Sequence, residues 1–376
     1  MRIGLIAPPG VPIPPPAYGG IESVVDQLAR GLVRAGHEVL LGAAANSTCP
    51  VPRVRGTDEA ADTAPVCGDM ISELRHVVRS YAAMTDEDIV HDHTLTGPLY
   101  RHAPAGEPVV TTAHGPFDAT LRPVYRAMRG VAVVAISHHQ AATADGFPLA
   151  GVIHHGLDVS SVPVGRGNGG YASFLGRMSP EKGPREAALV ARAAGVPLRM
   201  AAKLREPAER EYFDAEVKPL LCSDVEFLGE VGCAEKLELV GGSFALLNPM
   251  QWAEPFGLVM IEALATGTPV VATPVGSAPE LVADAVTGYL RVSRPQLAAA
   301  LLAAPQLDRT ICRDTAVRRF SSERMVAEHV KLYEDLLAGM APCYRVSSRP
   351  PLPRVMSARS PRVTPATSTP RPPLAR

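Results

Sequence analysis

Short apolar runs alternate with amphipathic stretches along most of the chain. RIGLIA (2–7), EVLLGA (38–43), DIVHDH (88–93), PVVTTAH (108–114), VAVVAIS (131–137) and GVIHHG (151–156) have the length and β-branched content of strands. Helical spacing fills the gaps between them, at Ile21 to Arg34, at 69–84, at 118–128 and briefly after 137. Strands that are apolar throughout and separated by helices predict a parallel sheet covered on both faces. The flexible GRGNGG (165–170) breaks this rhythm, which resumes with YASFLGR (171–177), PLRMAAK (197–203), VEFLG (225–229), FALLNP (244–249), TPVVATP (268–274) and GYLRV (288–292). That break is the predicted boundary between two domains, 1–164 and 165–320, both doubly wound and facing each other across a cleft.

A last helix is predicted over 321–340, with Ser321 or Ser322 as N-cap and Met325, Val326, His329, Val330, Tyr333 and Leu337 on one apolar stripe. It is expected to pack back on the first domain. Residues 341–376 are rich in Pro, Ser and Arg, contain no acidic residue and show no period, so a disordered, solvated tail is predicted there.

Composition narrows the class. With 46% hydrophobic residues and a formal charge of -1, the chain has the make-up of a soluble globular protein, and no charge excess calls for nucleic acid. The start, MRIGLIAPPG, is too short in apolar residues for a secretory segment, and no run approaches the roughly 20 residues that span a bilayer. A cytoplasmic protein is the expectation. Six cysteines are spread without a C-x-x-C pair, which predicts reduced, mostly buried thiols and no structural zinc.

Three loops offer backbone donors to an anion. In PPGVPIPPPAYGGIESVV a proline-stiffened loop leaves the first strand and Gly19-Gly20 opens into a helix; N–H groups at a helix start, with no Cβ in the way, favour a phosphate. In FLGRMSPEKGPREA, Arg177 and Lys182 flank a strand-to-helix turn and suit a diphosphate. In QWAEPFGLVMIEALATGTPVVAT the helix is predicted to begin at Gly257, with the N–H groups of Gly257, Leu258 and Val259 free. This places Glu254 on the loop before the helix and Glu262 on the helix itself, which argues against the paired acid and base of a glycoside hydrolase.

In this order, YGGIE, TTAHG, FLGRMSPEKG, EFLG and EPFGLVMIEALATGTPVVATPVGSAPELV resemble the retaining glycosyltransferases of family 4, and the resemblance covers nearly all of residues 1 to 338. It implies a GT-B fold, two Rossmann-like domains with a nucleotide sugar held mainly by the second and the acceptor by the first. Carried over residue by residue, Arg177 and Lys182 neutralise the donor diphosphate, Glu254 contacts the transferred sugar, and Glu262 binds the ribose. Gly20 closes on the phosphate from the first domain, His114 stands near the transferred sugar and acceptor, and Val225 to Gly229 lie beside the base. Retention without a metal or other cofactor is implied, with uridine diphosphate the preferred carrier.

Departures and rivals are visible too. AAKLRE (201–206) replaces a glycine-containing element of many relatives, which puts a donor role for Lys203 in doubt, and the proline loop is longer than the family minimum. HDH (91–93) suggests a metal site, but strand alternation sends His91 and His93 to one side and Asp92 to the other, so a hydrogen-bonded cleft lining is the expectation. His138-His139 and His154-His155 match no family position. Arg122, Arg126 and Arg129 could meet anionic lipid heads, yet their helical spacing fits a solvated face better. The rival functions are a GT-B nucleotide-sugar epimerase and a non-catalytic sugar-nucleotide-binding relative; the presence of Arg177, Lys182, Glu254 and Glu262 disfavours the latter.

Overall fold

A computed structural model describes residues 1–60, 70–100, 107–340 and 344. Among the described residues twelve strands form two parallel sheets. The first contains β1 (Arg2–Ile6), β2 (Glu38–Gly42), β3 (Ile89–Asp92), β4 (Val109–Thr112), β5 (Val131–Ala135) and β6 (Gly151–Val152), in the order β2-β1-β3-β4-β5-β6. The second contains β7 (Ala172–Arg177), β8 (Leu198–Lys203), β9 (Val225–Phe227), β10 (Ala245–Asn248), β11 (Val270–Ala272) and β12 (Gly288–Leu290), in the order β12-β11-β10-β7-β8-β9.

Helices of the first half are α1 (Gly20–Arg34), α2 (Met70–Ala83), α3 (Gly97–Tyr100), α4 (Arg122–Ala127) and α5 (His138–Ala142). The second half has α6 (Pro184–Ala194), α7 (Pro207–Tyr212), α8 (Cys233–Gly242), α9 (Leu258–Ala265), α10 (Ala278–Leu281), α11 (Arg294–Ala303), α12 (Arg309–Phe320) and α13 (Ser322–Leu337).

Period-two alternation explains why each sheet is sandwiched. Leu5 packs under α1 and α13 with Leu41, Ile89, Val110 and Val134, while its neighbour Ile6 turns to the other face, against Val77 and Tyr81 of α2. In the second sheet Leu175, Leu246 and Val270 meet α8, α9 and α12, whereas Phe174, Leu247 and Val271 meet α6 and α11. Strand order reverses between β1 and β3 in one sheet and between β7 and β10 in the other. Ligands of open α/β sheets sit at such switch points, beyond the carboxyl ends of the strands, and the loops there are the proline loop, HDH, the Arg177–Lys182 turn and the segment leading to Glu254.

Three expectations need correction in detail. The helix expected at 118–128 is only Arg122–Ala127, because the Asp118 side chain accepts the N–H groups of Thr120 and Leu121 in a preceding turn and Pro123 then sets the start. On α13, capped by Ser321, Leu332 is buried in the stripe while Leu337 is exposed. Of the four described cysteines, all free, Cys222 and Cys233 are exposed, since Cys222 lies beside a turn and Cys233 opens the first turn of α8; Cys67, Cys343 and the tail beyond 344 lie outside the described residues. Among the described residues no helix is long and apolar enough to cross a membrane.

Candidate active site

The wall from the second domain is built by two loops tied together. After β7 the chain turns through Ser179 and a 3₁₀ turn, Pro180–Lys182, into Gly183, whose left-handed backbone (φ 75°) starts α6. A Cβ at Gly183 would stand 2.2 Å from the Pro249 carbonyl oxygen, so no other residue fits. The Gln251 N–H donates to the Glu181 carbonyl at 2.9 Å, joining this turn to the loop after β10.

The side chains follow from that junction. Glu181 accepts hydrogen bonds from Arg177 at 3.2 Å and from the Ser179 hydroxyl at 2.7 Å, leaving Lys182 to donate to the Glu254 carboxylate. Trp252 Nε1–H donates to the same Glu254 oxygen at 2.8 Å, and the Lys182 ammonium lies 5.3 Å from the indole centroid. Lys182 and Glu254 keep only 14% and 15% of their side-chain surface exposed. The Nε–H of Arg177 is buried without a partner among the described residues, so part of its five-donor fork is uncommitted.

Beyond Glu254, Gly257 adopts a left-handed conformation (φ 90°) and α9 begins at Leu258. The Ser277 hydroxyl holds the Phe256 carbonyl, and Ser277 N–H holds that of Glu254 at 3.0 Å. Leu258 and Val259 lie in the first turn, and Glu262, one turn further, accepts from Lys236 of α8 at 2.6 Å. Burial works against the Lys236 ammonium, but Glu262 more than offsets it and the pKa lies above the ordinary lysine value.

The first domain supplies the facing wall. A Cβ on Gly20 would stand 3.3 Å from Leu258 Cδ1, so the N-termini of α1 and α9 confront each other, with Gly19 packed on Pro15. Leu258 touches the apolar cores of both halves. The proline loop crosses the cleft: Tyr18 N–H donates to Glu230 at 3.2 Å, and Arg205 grips Glu230 with two bonds of 2.7 Å. Lys203, whose donor role the sequence left in doubt, is held by Glu206 at 2.6 Å and Glu209 at 3.3 Å, 5.9 Å from the Tyr18 ring. Burial pushes the Tyr18 hydroxyl up to about 12 against the pull of Arg177, and it pushes the Glu22 carboxyl in the first turn of α1 up to about 7.

His114 follows β4 and belongs to a stack of imidazoles. His93 Nδ1 and His114 Nε2 are 2.9 Å apart, His155 stacks on His114 at 5.3 Å, and Phe256 meets His155 edge-on at 4.9 Å. Burial, reinforced by the neighbouring rings, holds His93 and His155 well below the ordinary histidine value and takes His114 to about 3. His91 stacks on His93 at 4.1 Å, while Asp92 points away to Tyr81 and Thr94, as alternation predicts.

A metal-like group lies elsewhere among the described residues, His138, His154 and Glu280, with ligand atoms within 4.8 Å of one another. Glu280 already accepts the backbone N–H groups of His138 (2.9 Å) and His139 (2.6 Å) and the ring of His154 (2.9 Å). These bonds hold its pKa below the ordinary value despite burial. The arrangement reads as a clasp between the two halves. On α4, Arg122 and Arg126 both pair with Asp145, which occupies two of the three arginines considered for lipid heads.

Arg177, Lys182, Glu254 and the start of α9 thus share one wall, Gly19 and Gly20 face it, and His114 reaches it through His155 and Phe256. Trp252, Glu230 and Lys236 escaped the sequence reading, while His93 was read only as cleft lining and His155 only as outside the family positions. Trp252, the only tryptophan and two residues before Glu254, was the one local signal available.

Two doubly wound domains with this cleft define a GT-B glycosyltransferase. The chain belongs to the family 4 glycosyltransferases: the Glycosyltransferase Family 4 model matches residues 18–161 and the glycosyl transferases group 1 model matches 166–306. It is 30% identical to a phosphatidyl-myo-inositol mannosyltransferase of Mycolicibacterium smegmatis, over 77% of this chain and 80% of that one. The namesake enzyme of Mycobacterium tuberculosis is 28% identical over 93% and 100%. The crystal structure of a glycosyltransferase involved in avilamycin A biosynthesis superposes with a TM-score of 0.71 at 28% identity, covering 90% and 98%.

Proposed function

We propose that the protein is a retaining hexosyltransferase that moves a sugar from a nucleotide-diphosphate sugar to a hydroxyl acceptor. The observation that carries this reading is the approach of two helix N-termini, at Gly20 and Gly257–Leu258, beside Arg177 and Lys182. Backbone donors and fixed cations converge where a diphosphate would depart. Glu254, held by Lys182 and Trp252, takes the sugar hydroxyls, and Glu262 with Lys236 takes the ribose.

As the bond from the anomeric carbon to the phosphate oxygen breaks, its electron pair stays on the diphosphate, opposite Arg177, Lys182 and the N–H groups. The acceptor oxygen bonds to the same face of the carbon, and its proton passes to the departing phosphate. Charge neutralisation rests on protein cations, so the proposal includes no metal. A UDP-sugar is the expected donor; the mannosyltransferase relatives favour a mannosyl nucleotide as the second choice.

Donor consumption with UDP-hexoses and GDP-mannose, with and without an acceptor panel, tests this. Lys182→Ala and Glu254→Ala should each lower kcat by about 10²- to 10³-fold, with no effect of a chelator on the parent enzyme. Parent-like rates in both variants would overturn the assignment, and acceptor-independent interconversion of nucleotide sugars would favour the epimerase.

A further inference from the structure

The His114 ring is one half of a hydrogen-bonded pair, and the other half decides what it can do. His93 Nδ1 and His114 Nε2 are 2.9 Å apart, close enough for one proton between them. Both rings are neutral at physiological pH, because burial and the adjacent imidazoles depress their pKa values. Each ring therefore carries a single N–H, and two arrangements are open.

The far nitrogen of His93 separates them. Nε2 is buried and has no partner among the described residues. If His114 were the donor, His93 would carry its proton on Nε2 as a buried N–H with no acceptor, and leaving a donor unpaired there costs its desolvation. If His93 is the donor, the orphan is only a lone pair. The pair is also held in place: His93 stacks on His91, whose two nitrogens bond Tyr333 at 2.6 Å and Thr112 at 2.8 Å, and His155 covers His114.

We propose that His93 donates its Nδ1–H to His114 Nε2 and so fixes His114 as the Nδ1–H tautomer, a hydrogen-bond donor toward the sugar or acceptor oxygens in the cleft. His93 is a positioning residue, acting through His114 without touching substrate. The inference rests on the role given to His114 under the proposed function, but the tautomer can be read without turnover.

Long-range ¹H–¹⁵N spectra of the full chain labelled at histidine, with the His114 signals identified by their loss in His114→Ala, should show Nδ1 protonated and Nε2 bare. In His93→Phe, which keeps a ring on His91 but has no donor, the proton should move to Nε2. Its kcat should fall at least about tenfold with the donor KM within about threefold. His93→Asn, whose amide reaches the place of Nδ1, should restore the tautomer and part of the rate. A parent enzyme with Nε2 protonated, or a His93→Phe chain with unchanged tautomer and kcat, overturns the proposal. If His93→Phe does not fold, the parent spectrum and the Asn variant decide it. Full activity in His114→Ala would instead defeat the role of His114 while leaving the donation of His93 standing or falling on the spectra.

Discussion

The two walls of the cleft hold their polar side chains in opposite ways. On the second-domain side the candidate site groups are charged and paired, Lys182 with Glu254, Arg177 with Glu181, Lys236 with Glu262. On the first-domain side they are neutral rings, His91, His93, His114 and His155, stacked on one another, with His91, His93 and His155 buried and His114 partly exposed. A wall of paired charges can exchange a protein partner for a phosphate or a hydroxyl. A wall of neutral imidazoles offers directed hydrogen bonds without adding charge near a developing leaving group, which suits contact with an uncharged sugar.

Acid should break the neutral wall first, with the largest effect. His91, His93 and His155 lie well below 6.5 in the folded chain, His114 at about 3 and His329 at about 4, all chiefly through burial. The unfolded chain binds protons near 6.5 and the folded chain does not, so stability is full above pH 6.5 and is lost progressively toward pH 3. Each histidine contributes up to about 1.4 kcal/mol per pH unit in that window. Glu22, raised to about 7, and Asp92, raised to about 6, act in the opposite sense, but five histidines outnumber them. Equilibrium unfolding followed through the single tryptophan should show the midpoint denaturant concentration dropping steeply below pH 6; a flat profile from 6.5 to 4 would contradict neutral burial.

A smaller effect is expected from the charged wall. Gly183→Ala forces a Cβ into the Pro249 carbonyl at a left-handed position, costing on the order of 1–3 kcal/mol and spreading the two loops that hold Lys182 and Glu254. Thermal denaturation should show a lower Tm together with a loss of kcat. Gly195→Ala serves as the control: it too has positive φ, but an added Cβ meets nothing within 4 Å. Its kcat should stay at the parent value.

The smallest effect concerns the strap between the walls. Glu230→Gln weakens the grip of Arg205 while keeping an acceptor for Tyr18 N–H, so donor KM should rise by no more than about tenfold with kcat retained. An equal fall in kcat would mean that the proline loop shapes the reacting geometry as well as binding.

Much of this was legible before the structure. Apolar strands separated by helices gave both sheets, and glycine at the helix starts pointed to 20 and 257, because these features are local. What stayed hidden is pairing across the chain. Lys182 and Glu254 are 72 residues apart and their bond depends on β7 lying beside β10. His155 lies on Phe256 only because one domain leans on the other. The partner of Glu181 is Arg177 rather than the adjacent Lys182, since the 3₁₀ turn sends that lysine to the next loop. Strand alternation could separate His91 and His93 from Asp92, yet it could not say that the imidazoles stack.

The last helix carries a consequence for how the molecule is made. Leu157 pairs with Phe320 and Ser322, so the chain crosses between the halves twice at one seam. α13 then seats Met325 and Tyr333 in the first domain's core, with the Tyr333 hydroxyl on His91. The strands of the first sheet are complete by residue 152 and those of the second by 290, but the second domain's core closes on α12, at Phe320, while the first domain's core waits for α13, at Met325 to Tyr333. During synthesis the N-terminal half is therefore the last to be finished, and the histidine wall acquires its final lining only as the C-terminal helix leaves the ribosome.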